Sequence, residues 1–395
     1  MSGYICVFDC ETVPDCDSLR EAYGYEGDDK SVAQMALEAQ KERNGSEFLP
    51  VCFHKVVTIS AVIADEFGRF KRVSTIAGDS EEKKIAEFIK FINEHNPRLV
   101  SYNGRGFDLP MLMIRAMRYN IEASEYFNTN DRANGKDKWC NYRSRYDGVF
   151  HLDLLDHISD FKAVSGLKLD LLCASLNLPG KYDVCGDEVM SLYYNGQQDK
   201  IDEYCESDTL NTYWLFLKYE LLRGRLNLDD YANYLSLMNE YLNTQKSNMS
   251  YSIVFDRYIN IVKYLIKYGK RVYNKGLQIE KVIQLVQLFF DEYSKNVILS
   301  GYYNYGQNEE LVEQEVKKMV ERILNKLEVN MSLEEVDVEA SFSTMTGVVQ
   351  NKTLTLSNGH PTGTETGFAS PLLLAILTAT IEITTLLYIF LNAME

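Results

Sequence analysis

The stretch Tyr4-Ile-Cys-Val-Phe-Asp-Cys-Glu-Thr12 decides how the first half of this 395-residue chain is read. Tyr4 to Phe8 are apolar and β-prone, which predicts a buried strand over residues 2–9. Asp9 and Glu11 come at its end. Side chains two apart on a strand project from the same face, so the two carboxylates are expected side by side.

Outward from this strand, residues 56–64 and 70–76 read as two more strands, joined by a short turn around Glu66 to Gly68. Residues 81–95 carry Ile85, Phe88, Ile89 and Ile92 at helical spacing, and Pro97 ends that helix. A short strand over 99–102 runs into the Asn103-Gly104 turn, and residues 109–119 are predicted helical. After a polar loop at about 128–148 come a strand at 151–154, a helix at 167–176 and a long helix at 201–222. Three strands, a helix, another strand and then alternating helices predict an α/β fold with a mixed sheet flanked by helices.

Composition narrows the function classes. With 46% hydrophobic and 25% charged residues the chain is ordinarily globular, and it is long enough for two domains. Its net charge of −16 excludes whole-molecule attraction to phosphate, so nucleic-acid binding would need a local basic patch or metal ions. Bound cations invert the field of an acidic cluster. All eight cysteines fall in the first 205 residues without a C-x-x-C pair, which argues against structural zinc. No secretory signal is apparent, so reduced thiols in a cytoplasmic protein are expected.

Two more acidic elements join the first. Asp108 closes Tyr102-Asn-Gly-Arg-Gly-Phe-Asp108, just before Pro110 and a predicted helix. Tyr204 and Asp208 lie four apart in Tyr204-Cys-Glu-Ser-Asp208, on one face of the long helix. Each has a plainer explanation alone: Asp108 as a helix cap, Asp9 and Glu11 as a solvated strand end, Tyr204 and Asp208 as an ordinary helix face. Together they suggest a carboxylate cage for two hard divalent cations, which prefer oxygen ligands.

In this order the motifs resemble the DEDD superfamily of 3′–5′ exonucleases. The flanking elements narrow the likeness to predicted 3′–5′ exonucleases related to the proofreading domain of family-B DNA polymerases. They are Phe48-Leu-Pro-Val-Cys-Phe-His-Lys-Val-Val-Thr-Ile-Ser60, Asn103-Gly-x-x-Phe-Asp-x-Pro110, His151-Leu-Asp-Leu-Leu-Asp156, Leu178-Pro-Gly-Lys181 and Tyr204-Cys-Glu-Ser-Asp-Thr-Leu-Asn-Thr-Tyr213. The resemblance covers about residues 1–230 and implies a ribonuclease-H-like fold. It implies two Mg2+ (or Mn2+) ions held by Asp9, Glu11, Asp108 and Asp208, with Asp9 shared between them. Tyr204 would orient the attacking water, marking the tyrosine subtype; the histidine subtype would place a histidine where this chain has Glu203. Asn103 and Phe107 would lie along the substrate groove, where aromatic stacking on a single strand is worth about 1–3 kcal/mol per base. Phe107 as a core aromatic is the competing reading. Asp153 and Asp156 are expected to support the site and not to bind metal.

Beyond about residue 225 the chain divides into a helical region (231–330), a polar linker (331–370) and an apolar C-terminal run. Between Tyr241 and Lys281 eight basic residues face two acidic ones, with Tyr258, Tyr264 and Tyr268 interleaved. Lys263, Lys267 and Arg271 could guide a strand toward the cage, although a solvated helix face has the same appearance. Residues 371–391 form a run of 21 with Glu382 as the single charge, long enough to span a bilayer. A mid-span acid costs about 2.5–3.5 kcal/mol, so a tail anchor with the enzyme in the cytoplasm competes with a buried helix.

The leading expectation is a metal-dependent 3′–5′ exonuclease acting on single-stranded DNA. A membrane-tethered interaction protein with an exonuclease-derived module, and a nucleotide phosphohydrolase on the same fold, are the alternatives. No polymerase signature follows the first domain, so proofreading within the same chain is not expected.

Overall fold

The computed structural model describes residues 3–181 and 186–268, together with the short pieces 356–357 and 360–361. The chain runs β1 (Tyr4–Pro14), α1 (Cys16–Tyr23), α2 (Asp29–Asn44), β2 (His54–Asp65), β3 (Phe70–Thr75), α3 (Glu81–His95), β4 (Arg98–Ser101), α4 (Asp108–Arg118) and α5 (Ser124–Phe127). It continues through β5 (His151–Asp153), α6 (Leu154–Ile158), α7 (Leu169–Ser175), α8 (Val189–Tyr194), α9 (Gln198–Leu222), α10 (Leu228–Gln245) and α11 (Ser250–Tyr268). A two-residue pair, β6 (Leu356–Ser357) with β7 (His360–Pro361), stands by itself. Two compact units divide at Ile259 and Asn260.

Five strands form one sheet in the order β3-β2-β1-β4-β5. β1 pairs antiparallel with β2 and parallel with β4, so the sheet is mixed. β4 and β5 continue the parallel half. This arrangement is consistent with a ribonuclease-H-like fold. β1 runs five residues past the predicted end, because β2 pairs along its whole length up to Pro14↔His54. Asp9 and Glu11 therefore lie within a central strand and not at its end. The register slips between Glu11 and Thr12, a bulge of the kind that re-aims side chains beside functional sites.

The two faces of the sheet are covered differently. On one, Phe8, Ile59 and Ile63 meet Ile85, Phe88 and Ile89 of α3 and Leu112 of α4 in the main core. α9 lies across the other and is buried almost all round, with Leu210, Tyr213, Trp214 and Leu215 at 1% exposure or less. Burying one such large apolar side chain contributes about 1.5–3 kcal/mol. Polar bonds then fix α9 in place: the Tyr213 hydroxyl donates to Gly68 O at 2.8 Å and Trp214 Nε1 to the Tyr231 hydroxyl of α10 at 2.6 Å. The Tyr241 hydroxyl of α10 reaches Val73 O of β3.

Helix α3 coincides with its predicted span. α1 and α2 were not foreseen, because the buried stripe of α2 shrinks to Val32, Ala33 and Ala36 in an otherwise polar sequence. Their capping signals are plain once seen: Asp15 accepts from Ser18 N and Asp28 from Ser31 N. Among the described residues no helix is long and apolar enough to cross a membrane. The expected span over 371–391 lies outside the described residues, as do the region beyond 268 and the linker over 331–370 apart from 356–357 and 360–361.

Candidate metal centre and nucleic-acid site

β1 presents Asp9 and Glu11 toward α9. Their carboxylate oxygens and the Cys205 sulfur all lie within 4.8 Å of one another. That tight group excludes Asp108 and Asp208, yet both act on it electrostatically from the start of α4 and the middle of α9. Asp208 is buried, and the Tyr204 hydroxyl one turn earlier on α9 eases its ionisation. Tyr204 and Asp208 therefore share a face and act on each other, as the four-residue spacing predicts.

Asp108 does not cap its helix. The capping position is Phe107, with no side-chain bond, and Asp108 is the first residue of α4. Cys10 of β1 eases its ionisation, while Oδ1 is buried with no hydrogen-bond partner. The turn before it is tightly specified. Asn103 adopts a left-handed conformation (φ 65°), and a Cβ on Gly104 would sit 2.3 Å from Ser101 Oγ. Asp153 holds this turn by accepting from Asn103 N at 3.0 Å and Arg105 N at 2.8 Å, and Asp156 is forked by Arg145 at 2.9 and 2.8 Å. Asp153 thus supports the turn before Asp108, and Asp156 holds Arg145.

The cage is dominated by like charge. Burial raises Asp9 well above the ordinary carboxylate range, and Asp108, Glu11 and Asp208 push it further. Burial and Asp208 do the same to Glu11, against partial relief from Lys181. Asp108 is pushed up to about 7, mainly by burial. Asp208 rises to about 6 by burial, moderated by Lys181 and the Tyr204 hydroxyl. Burial, Asp208 and Glu11 also raise Tyr204, so its hydroxyl stays protonated.

These residues fit hard divalent cations. Four carboxylates converge with little compensating positive charge, and an orphaned acceptor on Asp108 is an oxygen ligand in waiting. Beneath them, the hydroxyls of Thr58 and Ser60, paired across the strands with Glu11 and Asp9, are likewise buried without partners. Cys205 does not fit as a ligand. Burial raises its thiol, which points at the backbone carbonyl of Asp9 at 3.6 Å.

Lys181 is a residue whose position the sequence reading did not use. Its ammonium lies 3.4 Å from Asp170 and 5.3 Å from the centre of the Tyr204 ring. Burial alone would lower its pKa, but Asp208, Asp170 and Glu11 outweigh that and hold it charged. Asn211 of α9 anchors the preceding Gly180 through both backbone groups, at 2.9 and 3.1 Å. The only signal in the sequence was its place in the Leu178-Pro-Gly-Lys181 element.

The predicted substrate residues belong to different compact units. Asn103 and Phe107 are half-exposed in the loop leading to Asp108. Lys263 is half-exposed on α11, in the unit that begins at Asn260. The side chain of Lys267 and all of Arg271 lie outside the described residues. The interleaved basic and aromatic face is altered in two places. Tyr258 is buried at 8% exposure, and Lys246 is spent on Glu206 at 2.9 Å. Glu203, where a histidine would mark the other subtype, accepts from Ser250 N and Oγ at the start of α11.

Comparison with known proteins agrees with this geometry. Residues 46–259 match the family model described as a predicted 3′–5′ exonuclease related to the exonuclease domain of PolB. A protein named DNA polymerase from Archaeoglobus fulgidus is 30% identical over 168 residues, covering 39% of this chain and 20% of the polymerase. The chain thus spans about a fifth of that relative's length. The match holds over more than half of the sequence and includes Asp108, Tyr204 and Asp208, and on that basis the protein belongs to the family of predicted 3′–5′ exonucleases related to the exonuclease domain of PolB.

Proposed function

We propose that the protein removes nucleotides from the 3′ end of nucleic acid, with single-stranded DNA as its preferred substrate, and that it requires two Mg2+ or Mn2+ ions. The observation that carries this reading is the unpartnered Oδ1 of Asp108, buried beside three other carboxylates that raise one another's pKa. A site of this kind is costly unless a cation completes it. Asp9, Glu11, Asp108 and Asp208 would hold the ions, Asp9 contributing to both. Bound there, two such ions supply a nucleophilic water near neutral pH and offset charge on the phosphate and the departing oxygen.

The remaining roles follow from side-chain chemistry. Tyr204 keeps its proton beside the Asp208 carboxylate, and its phenolic oxygen can accept from a water. It positions and does not abstract. Lys181 places a positive charge near Glu11 and Asp208 and holds them toward the ionised form. Asn103 and Phe107 would contact the terminal nucleotide.

The test compares mononucleotide release from 3′-labelled and 5′-labelled single-stranded oligonucleotides, with magnesium, with manganese and with chelator. Immediate loss of the 3′ label as mononucleotide, with stepwise shortening of the 5′-labelled strand, is expected only with metal. Cleavage in chelator would refute metal dependence. Hydrolysis of free nucleotides with oligonucleotides left intact would replace the exonuclease reading with a phosphohydrolase one.

A further inference from the structure

Phe48 belongs to the segment between α2 and β2, outside the cage, and its ring is 56% exposed. A lone exposed phenyl on a protein surface needs no explanation. This one is the outermost member of a three-ring cluster. Its centroid lies 5.1 Å from Phe107 and 5.1 Å from His54, and those two rings are 4.9 Å apart. The inner rings are rooted at the cage. Phe107 immediately precedes Asp108, and His54 is bonded through Nδ1 to the hydroxyl of Thr12, next to Glu11, at 2.9 Å. The other His54 nitrogen meets Leu49 O at 3.1 Å, so the imidazole is locked from both sides.

Phe48 is also held from behind. Its backbone N–H donates to Ser46 Oγ at 3.1 Å, Gln40 Nε2 donates to its carbonyl at 3.2 Å, and the next residue, Leu49, is buried at 4% exposure with Val32 and Ala36. An exposed aromatic with a fixed backbone loses little freedom when a flat ligand lies on it. Its contact with Phe107 is edge-on at 64°, which leaves ring surface open to solvent.

We infer that Phe48 and Phe107 together form a stacking platform for an unpaired nucleobase at the 3′ end of the strand, making Phe48 a specificity-determining residue that requires the terminal base to be unstacked from a duplex. The inference rests on the exonuclease reading above. Every base has a π face, so the platform favours single strands over paired ends without reading sequence.

The experiment is a cycle between protein and substrate. Two single-stranded oligonucleotides, identical except that one ends in an abasic 3′ residue, are digested by the full chain in magnesium and by Phe48→Ala and Phe48→Trp variants. The wild type should favour the strand with the terminal base by roughly 5- to 150-fold in kcat/KM, the range that base stacking supplies. Phe48→Ala should lose most of that preference through the intact strand alone, and Phe48→Trp should keep it. General damage to the fold would slow both substrates equally and leave the ratio unchanged. A wild type that shortens both strands equally well, or a Phe48→Ala enzyme that keeps the full ratio, overturns the platform while leaving the exonuclease reading standing. Failure of the wild type to shorten either strand overturns the exonuclease reading itself.

Discussion

Glu11 and Asp15 lie four positions apart on the same stretch of chain, and the two acids sit in opposite electrostatic worlds. Asp15 and Glu81 are buried around Arg115, which donates to Glu81 Oε1 at 2.7 Å and to Asp15 Oδ2 at 2.5 Å. Arg118 and the Tyr119 hydroxyl add bonds at 3.1 and 2.6 Å. Burial pushes Asp15 up, but the Ser18 hydroxyl and the Arg115 guanidinium outweigh it and bring its pKa below the usual value. Among the described residues Lys181 eases Glu11 and Asp208, and Asp9, Glu11, Asp108 and Asp208 all rise. Buried acids with their guanidinium are a finished structural element. Acids brought together without one repel each other, and under the proposed function bound cations would supply the missing charge.

Breaking each cluster should therefore have opposite consequences. Asp9→Ala and Asp208→Ala should abolish nucleotide release, by more than the 10–100-fold typical of residues that only support a ligand. Metal-free stability should hold or rise, since a repelled charge is removed. Arg115→Ala should instead cost about 3–5 kcal/mol in denaturant unfolding, because two acids are stranded. Near-normal activity in either aspartate variant would sink the cage, and an unchanged unfolding midpoint for Arg115→Ala would erase the contrast.

The second contrast is in pH and metal. Asp108 and Asp208, raised to about 7 and about 6, keep protons in the folded protein that the unfolded chain has already released. The folded state then binds more protons between about pH 4 and 7, so stability in chelator should fall as pH rises through that window. Magnesium should raise the melting temperature more at about pH 7.5 than at about pH 5.5, because it competes with those protons. Melting curves that are flat with pH in chelator, or a magnesium shift larger in acid, would contradict the raised carboxylates.

Smaller effects refine the cage side of the comparison. Tyr204→Phe should slow single-turnover cleavage by roughly 10–100-fold while leaving the magnesium concentration dependence in place, because the hydroxyl supports and does not ligate. A variant as dead as Asp208→Ala would promote Tyr204 to an essential group. Lys181→Met should move the acid limb of the pH–rate profile upward, since Glu11 and Asp208 lose the charge that eases their ionisation. An unmoved limb would show that the ammonium does not govern the cage.

Much of this architecture was legible in the sequence. β2, β3, β4 and α3 emerged close to their predicted spans because alternation and helical spacing are strong where one face is buried. α1 and α2 did not, since polar helices with small buried residues carry little periodic signal. The helical neighbours Tyr204 and Asp208 were readable for the same local reason. Asp108 was ambiguous, because an acid before a helix looks like a cap until Phe107 is seen at the capping position and Asp108 Oδ1 is seen buried without a partner. Two members of the basic, aromatic stretch have structural partners instead: Lys246 is consumed by Glu206 and Tyr258 is buried, contacts with no signature in charge spacing.

By itself the sequence determined which residues can do chemistry and which of them pair locally, because strand and helix periods act over two to four residues. Tertiary structure decided that Asp108 acts on Asp9 from another element and that Arg115 serves Asp15 while, among the described residues, no arginine pairs with Glu11. It also decided that Phe48 stands beside Phe107 at the rim. Desolvation and Coulomb forces act through space, so whether an acid is satisfied depends on what the fold brings alongside it and not on its neighbours in the chain.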